Sequence, residues 1–302
     1  MGYGLELKIT KTYRNAQEVI DIAGGFIQKN NSQLRKELIS PKHIDQPIII
    51  ESYSENVDRK KTAGKGGRYY MIGEKVEAIV EKIILENPKS SILLLGRYGF
   101  DAFHLSHSGK FVYNEKTGGV TSTKFPNVAL DFMTVHRAKG LGYDNVIIIN
   151  ARNEVYGFPS QVQDDPVLKY VVRDDHSIEY AEERRLFYVA LTRTKNRVYL
   201  IVPKERPSSF VLELIDDYLP VVLHGDIDKN ENKDNQEIKK CPICGYPLQL
   251  RYKQNYGLKL WMCTNEPELC DFMTNDLSGG QLSIIKCDQC RDGYLIVKPG
   301  KG

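Results

Sequence analysis

The sequence predicts an α/β body built on a mostly parallel sheet, followed by a small cysteine-rich tail that holds a metal ion. Three observations predict this. From about Leu5 to Pro220, short runs of Ile, Val and Leu alternate with longer amphipathic segments. Residues 224–240 then carry almost no apolar side chain. Beyond them, all six cysteines of the chain fall between Cys241 and Cys290.

Taken in order, IIIE (48–51), SILLLG (91–96), VALDFMTV (128–135), NVIIIN (145–150) and RVYLIV (197–202) read as strands buried on both faces. Between them, residues 16–30, 73–87, 180–194 and 208–219 carry helical periodicity. Strands alternating with helices imply a parallel sheet covered on both faces, with ligands in the loops after the carboxyl ends of the strands. The glycine-rich loop 58–70 is expected to be a solvated surface loop, with DNA contact as its other reading.

At 302 residues and 41% hydrophobic content, the chain can bury a substantial core. A formal net charge of +3 permits a nucleic-acid partner without arguing for one. No apolar run is long enough for a signal peptide or a membrane span, so the expectation is a cytoplasmic protein with no membrane partner; it is separately expected to be monomeric. The expected boundaries are residues 1–222 for the body, 223–240 for a flexible linker, 241–275 for one ribbon and 276–302 for a second, truncated one.

In the tail, Cys241 and Cys244 sit two residues apart ahead of Gly245, and Cys263 and Cys270 follow. Two thiolates on a tight turn, with a second pair across a hairpin, make a closed tetrahedral zinc site of a structural kind. Disulfides are the competing reading, disfavoured where thiols are kept reduced. Cys287 and Cys290 form a further pair, which is either unmetallated or half of a second site. The spacing resembles the C-terminal zinc ribbons of bacterial type IA topoisomerases, which implies single-stranded DNA binding. Arg251, Tyr256 and Trp261 would supply cations and stacking rings, although Trp261 would equally well pack the ribbon's own core.

The block EERRLFYVALTRTKN (182–196) reads as a helix with Leu186, Val189 and Ala190 inward and Glu182, Glu183 and Arg184 in water. An arginine on the turn after such a helix is also well placed to reach a phosphate. LKITKTYRN (7–15), FMTVHRAKGLGYDNVIII (132–149) and this block resemble motifs IV, V and VI of UvrD/Rep-type superfamily 1 helicases. ILLLGRYG (92–99) resembles a further strand and arginine of that family.

The resemblance implies a second RecA-like lobe that binds ATP and Mg²⁺ jointly with a first, N-terminal lobe, and that contacts single-stranded DNA. Arg193 and Arg14 would be the catalytic arginines that reach the γ-phosphate, with Arg97 as a further nucleotide contact or a structural ion-pair partner. Thr134, His136 and Lys139 would contact DNA or relay nucleotide state to it. Gly142 stands where family members often have Glu, so a carboxylate contact is absent. The chain contains no G-x-x-x-x-G-K-[ST] loop, so by itself it is expected not to hydrolyse ATP. A non-catalytic DNA-binding module and a protein-recruiting module are the alternatives.

Overall fold

The computed structural model describes residues 11–30, 38–56, 67–162, 180–229, 240–253, 258–265 and 269–274. Chain contacts divide it into two compact units, Met1–Ser160 with Asp175–Glu231, and Gln161–Asp174 with Asn232–Gly302.

The first unit runs α1 (Gln17–Gln28), β1 (Ile48–Tyr53), α2 (Gly67–Glu86), β2 (Ile92–Gly96), α3 (Asp101–His107), β3 (Phe111–Tyr113), β4 (Gly119–Ser122), β5 (Leu130–Thr134), β6 (Tyr143–Ile148), α4 (Ala181–Leu191), β7 (Thr194–Pro203), α5 (Ser209–Asp217) and β8 (Val221–His224). Its eight-stranded sheet has the order β3-β4-β5-β2-β6-β7-β1-β8. The six strands from β5 to β8 are parallel, and β3 and β4 add an antiparallel edge. The mostly parallel α/β architecture expected from the sequence is the architecture found.

Why the strands are apolar throughout is visible in the packing. Successive side chains of a strand point to opposite faces, and here both faces are covered. Ile48, Ile50, Leu93, Leu95, Val146, Ile148, Val198 and Leu200 enter one core beneath α1, α4 and α5. Their neighbours Ile49, Ile92, Leu94, Ile147, Tyr199 and Ile201 enter a second core beneath α2 and α3. A polar residue at any of these positions would face hydrocarbon, so the alternation typical of one-sided sheets is absent.

Several elements differ from the sequence reading. Helix α2 begins at Gly67, inside the segment read as a surface loop, because Ile72 and Val76 continue its buried stripe one turn upstream. Helix α3 and the β3–β4 hairpin were not expected: each is a short element with only a few buried residues, too few to set up a period. Strand β8 pairs with β1 through His224, so the sheet runs past Val222, the expected end of the body.

Arg184, expected in water, is 8% exposed. Its guanidinium lies over the rings of Phe26 and Phe210, 4.3 and 5.1 Å from their centroids, and makes two bonds to Glu213 at 2.7 and 2.8 Å. The flat cation thus closes the core between α1 and α5. Glu183 is likewise drawn inward, and only Glu182 and Arg185 stay exposed, paired with each other at 2.9 Å.

The second unit contains a three-stranded antiparallel sheet of β9 (Leu248–Lys253), β10 (Leu258–Cys263) and β11 (Met273–Thr274), in the order β11-β10-β9. Its small core is Cys241, Leu248, Cys270 and Phe272, with Trp261 packed against it. No helix of the described residues is long and apolar enough to cross a membrane.

Candidate functional site

Two constellations stand out, one in each unit. In the first, β5 ends at Thr134 and the chain returns to β6 at Tyr143 through residues 135–142. Because β5 and β6 are parallel with β2 between them, this segment must travel from the carboxyl edge of the sheet back to its amino edge. It crosses as a series of turns, with the Arg137 and Ala138 amides donating to the Thr134 carbonyl and Leu141 to Ala138. Val135 and Ala138 are buried against the sheet. His136, Arg137 and Lys139 project outward and are exposed, and Thr134 is half-buried. Gly140 takes φ +92°, a conformation side-chain-bearing residues rarely adopt, which turns the Leu141 carbonyl inward.

That carbonyl meets Arg193. The Arg193 guanidinium donates to the carbonyls of Val189 at 3.0 Å, Leu141 at 3.1 Å and Ala138 at 3.4 Å. Its Nη2 reaches Thr192 Oγ1 at 3.5 Å, the longest of these contacts. Burial first, and then the positive charge of Arg14, hold the Arg193 pKa below the usual arginine value. Arg14 is exposed and runs past Gly142.

The position of Arg14 is set by its neighbour. Buried Asn15 donates through Nδ2 to the carbonyls of Thr192 at 3.0 Å and Thr194 at 2.5 Å, while its own carbonyl accepts from Ser40 Oγ. Asn15 therefore stitches the segment before α1 onto the segment after α4. Two cations, with no carboxylate bonded to either among the described residues, converge at the amino ends of β6 and β7. The carboxyl ends, where ligands of such sheets were expected, are on the other side.

Arg97 belongs to that other side. It follows β2, about 15 Å of strand away from the amino edge. Its guanidinium makes bonds of 2.6–3.0 Å to Glu183, which also accepts the Ser160 amide. The structure therefore does not bring Arg97 to Arg14 and Arg193, and the ion-pair alternative describes its surroundings.

Also at the carboxyl edge, Asp101 is fully buried and accepts from the Tyr98 amide and from Asn150 Nδ2, each at 2.9 Å. Burial raises its pKa to about 6 against these hydrogen bonds. Asn15, Glu183 and Asp101 were missed by sequence reasoning. Each is a single polar residue beside a β-strand or helix end, and only the fold gives it a partner.

In the second unit, one ligand atom from each of Cys241, Cys244, Cys263 and Cys270 lies within 4.8 Å of all the others. The Cys241–Cys270 and Cys244–Cys263 sulfurs are 3.7 and 3.3 Å apart. A disulfide requires about 2.05 Å, whereas tetrahedral bonds of about 2.3 Å put sulfurs roughly 3.8 Å apart. The donor set therefore fits one tetrahedral ion. Gly245, at φ +76°, tightens the first turn so that its amide bonds the Cys241 carbonyl at 2.9 Å. Burial and then the neighbouring thiols push Cys263 and Cys270 up, Cys270 to about 11. Thr274 pairs with Trp261 across β10 and β11. The Arg251 side chain, Tyr256, Cys287 and Cys290 lie outside the described residues.

With this geometry in place, comparison with known proteins is direct. Residues 114–205 match the UvrD-like helicase C-terminal domain. That stretch holds β5, the 135–142 crossing, α4 and Arg193. Over 211 residues the chain is 31% identical to DNA helicase IV of Escherichia coli (strain K12), covering 70% of this chain and 26% of that protein. It is 27% identical over 242 residues to a probable DNA helicase II homolog of Rickettsia conorii, covering 72% of this chain and 32% of the relative. The chain thus spans about a quarter to a third of the length of these relatives. The solved C-terminal domain of a possible DNA helicase from Lactobacillus plantarum is similar over 71% of this chain and 99% of that one, with a TM-score of 0.40 and 13% identity.

One prediction follows from Asp101. A carboxyl whose folded pKa is raised binds more protons folded than unfolded, so stability falls as pH rises through the interval from about 4 to about 6. His104, 3.8 Å from Asp101, is held down to about 4 by burial and contributes in the opposite sense over this interval, so the decline is read by difference: the stability of the unchanged chain relative to Asp101→Asn, from urea unfolding, should fall by on the order of 3 kcal/mol across it. An identical pH slope in the two proteins would contradict the assignment.

Proposed function

We propose that this chain is the C-terminal part of an ATP-dependent DNA helicase or translocase, and that Arg14 and Arg193 are its contacts to the nucleotide's terminal phosphate. The observation that carries this reading is their convergence at one edge of the sheet, with Arg193 inside the segment that matches the helicase domain. Cations held together without a neutralising carboxylate favour an anion between them, and a phosphoryl group in transfer spreads charge over oxygens that such donors stabilise. Lacking a phosphate-binding loop, the chain would act jointly with a first RecA-like lobe that supplies that loop and the Mg²⁺ site.

The crossing 135–142 then has a defined role. Its outward side, half-buried Thr134 with exposed His136 and Lys139, carries groups suited to a single-stranded DNA backbone, and Arg193 holds its far end by two carbonyls. A phosphate that draws the guanidinium toward itself competes with those carbonyls. Nucleotide state would thereby reach the DNA-facing residues through a single side chain.

For the second unit we propose zinc, held by Cys241, Cys244, Cys263 and Cys270 in a closed structural site, with Arg251 and Tyr256 offered to single-stranded DNA and Trp261, packed against the ribbon's core, presenting at most its outer edge. The ion would make four adjacent thiolates compatible and would supply much of the folding energy of this short segment.

Two expected outcomes test these proposals. Combined with a lobe bearing a phosphate-binding loop, the chain should support DNA-stimulated ATP hydrolysis, and Arg193→Ala should lower kcat by about 10³-fold or more. The chain alone should hydrolyse none, and turnover by the chain alone that Arg193→Ala abolished would contradict this reading. A strong chelator should release one zinc per chain and change the fluorescence of Trp261, the sole tryptophan, while the far-UV signal of the first unit persists. Absence of bound zinc from protein purified with zinc present would rule out the metal centre.

A further inference from the structure

The turn after β2 carries an aromatic stack that neither the phosphate contacts nor the metal centre uses. The Arg97 guanidinium lies 4.8 Å from the Tyr98 ring centroid. The Tyr98 and Phe100 rings are nearly parallel, 5.0 Å apart with 7° between their planes. Tyr156 supports both rings edge-on, at 5.5 and 5.7 Å.

This stack is held rigidly from behind. Glu183 fixes Arg97, Ser160 Oγ hydrogen-bonds the Tyr98 hydroxyl at 2.5 Å, and Asp101 holds the Tyr98 amide. Yet the outermost ring is open: Phe100 is 40% exposed, and Phe103, one helical turn on, is 41% exposed. A large apolar ring that packs on fixed neighbours and still leaves a face exposed has less conformational freedom to lose on binding, and it suits a flat aromatic ligand.

The surroundings favour one kind of ligand. Gly96 pairs with Thr134 across β2 and β5, and its carbonyl accepts the Val135 amide at 3.1 Å. The stack therefore begins beside the start of the 135–142 crossing, whose next outward residues are exposed His136 and Arg137. Exposed His107 lies on the same helix as Phe103. Stacking rings beside the exposed Arg137 and Lys139 cations match a chain of bases on phosphates.

We infer that Phe100 is a base-stacking platform for single-stranded nucleic acid, extending the Arg97–Tyr98–Phe100 stack by one base while phosphates follow the His136–Lys139 face. This rests on the DNA role proposed above for that face.

The test is a titration of the full zinc-loaded chain with a thymidine homo-oligomer across a salt series. Phe100→Leu, which keeps apolar bulk but removes the flat ring, should weaken binding roughly five- to a hundredfold at every salt concentration, leaving the salt slope unchanged. Phe100→Tyr should restore it. Lys139→Ala should instead reduce the slope by about one. If Phe100→Leu binds as the unchanged chain does while Lys139→Ala weakens binding, the platform is overturned and the DNA role stands. If the unchanged chain binds no oligomer even at low salt, the DNA role fails and the platform falls with it.

Discussion

The proposed phosphate site of the first unit depends on one buried guanidinium. Arg193 has three carbonyls within hydrogen-bonding reach, one from the last turn of α4 and two from the crossing that returns to β6. A buried cation without a carboxylate partner is costly. Carbonyl dipoles offset part of that cost, and the nearby charge of Arg14 adds to it. The site is thereby biased toward an anion, and an anion arriving there must act on the contacts that hold the crossing in place.

The sheet makes that arrangement possible. Because every strand from β5 to β8 runs in the same direction, its two edges present different groups. Arg14, Arg193 and Asn15 gather at the amino edge; Arg97, Glu183, Asp101 and the aromatic stack gather at the carboxyl edge. The crossing 135–142 joins the two edges, anchored at one end by the Gly96 carbonyl and at the other by Arg193. Packing of Val135 and Ala138 into the core makes it a stiff strut rather than a slack loop.

Much of this was legible in the sequence where a physical rule acts locally. Runs such as ILLLG and VYLIV declared strands buried on both faces, and the two cores use their alternate residues as the rule requires. The cysteine spacing likewise foretold a four-sulfur cluster, because two thiols on one turn have few other uses. What could not be read depends on partners distant in sequence. Arg184 looked like a solvated charge until Phe26, Phe210 and Glu213 surrounded it. Arg97 could be read as a further nucleotide contact or as an ion-pair partner, and only the direction of β2, which places it at the edge opposite Arg193 and beside Glu183, separates the two. The short hairpin β3–β4 and strand β8 draw their stability from neighbours in the sheet, which composition does not record.

The most direct measurement is hydrogen exchange of the backbone amides of residues 135–141 in the unchanged chain and in Arg193→Lys. Lysine keeps the positive charge but has no planar fork to span the Ala138, Leu141 and Val189 carbonyls. If Arg193 is the pin of the crossing, exchange should accelerate there, at Ala138 and Leu141 above all, while the amides of β6 and β7 remain protected. Unchanged protection across residues 135–141 would show that the crossing holds itself, and would contradict the proposed coupling between phosphate contact at Arg193 and the outward residues of the crossing.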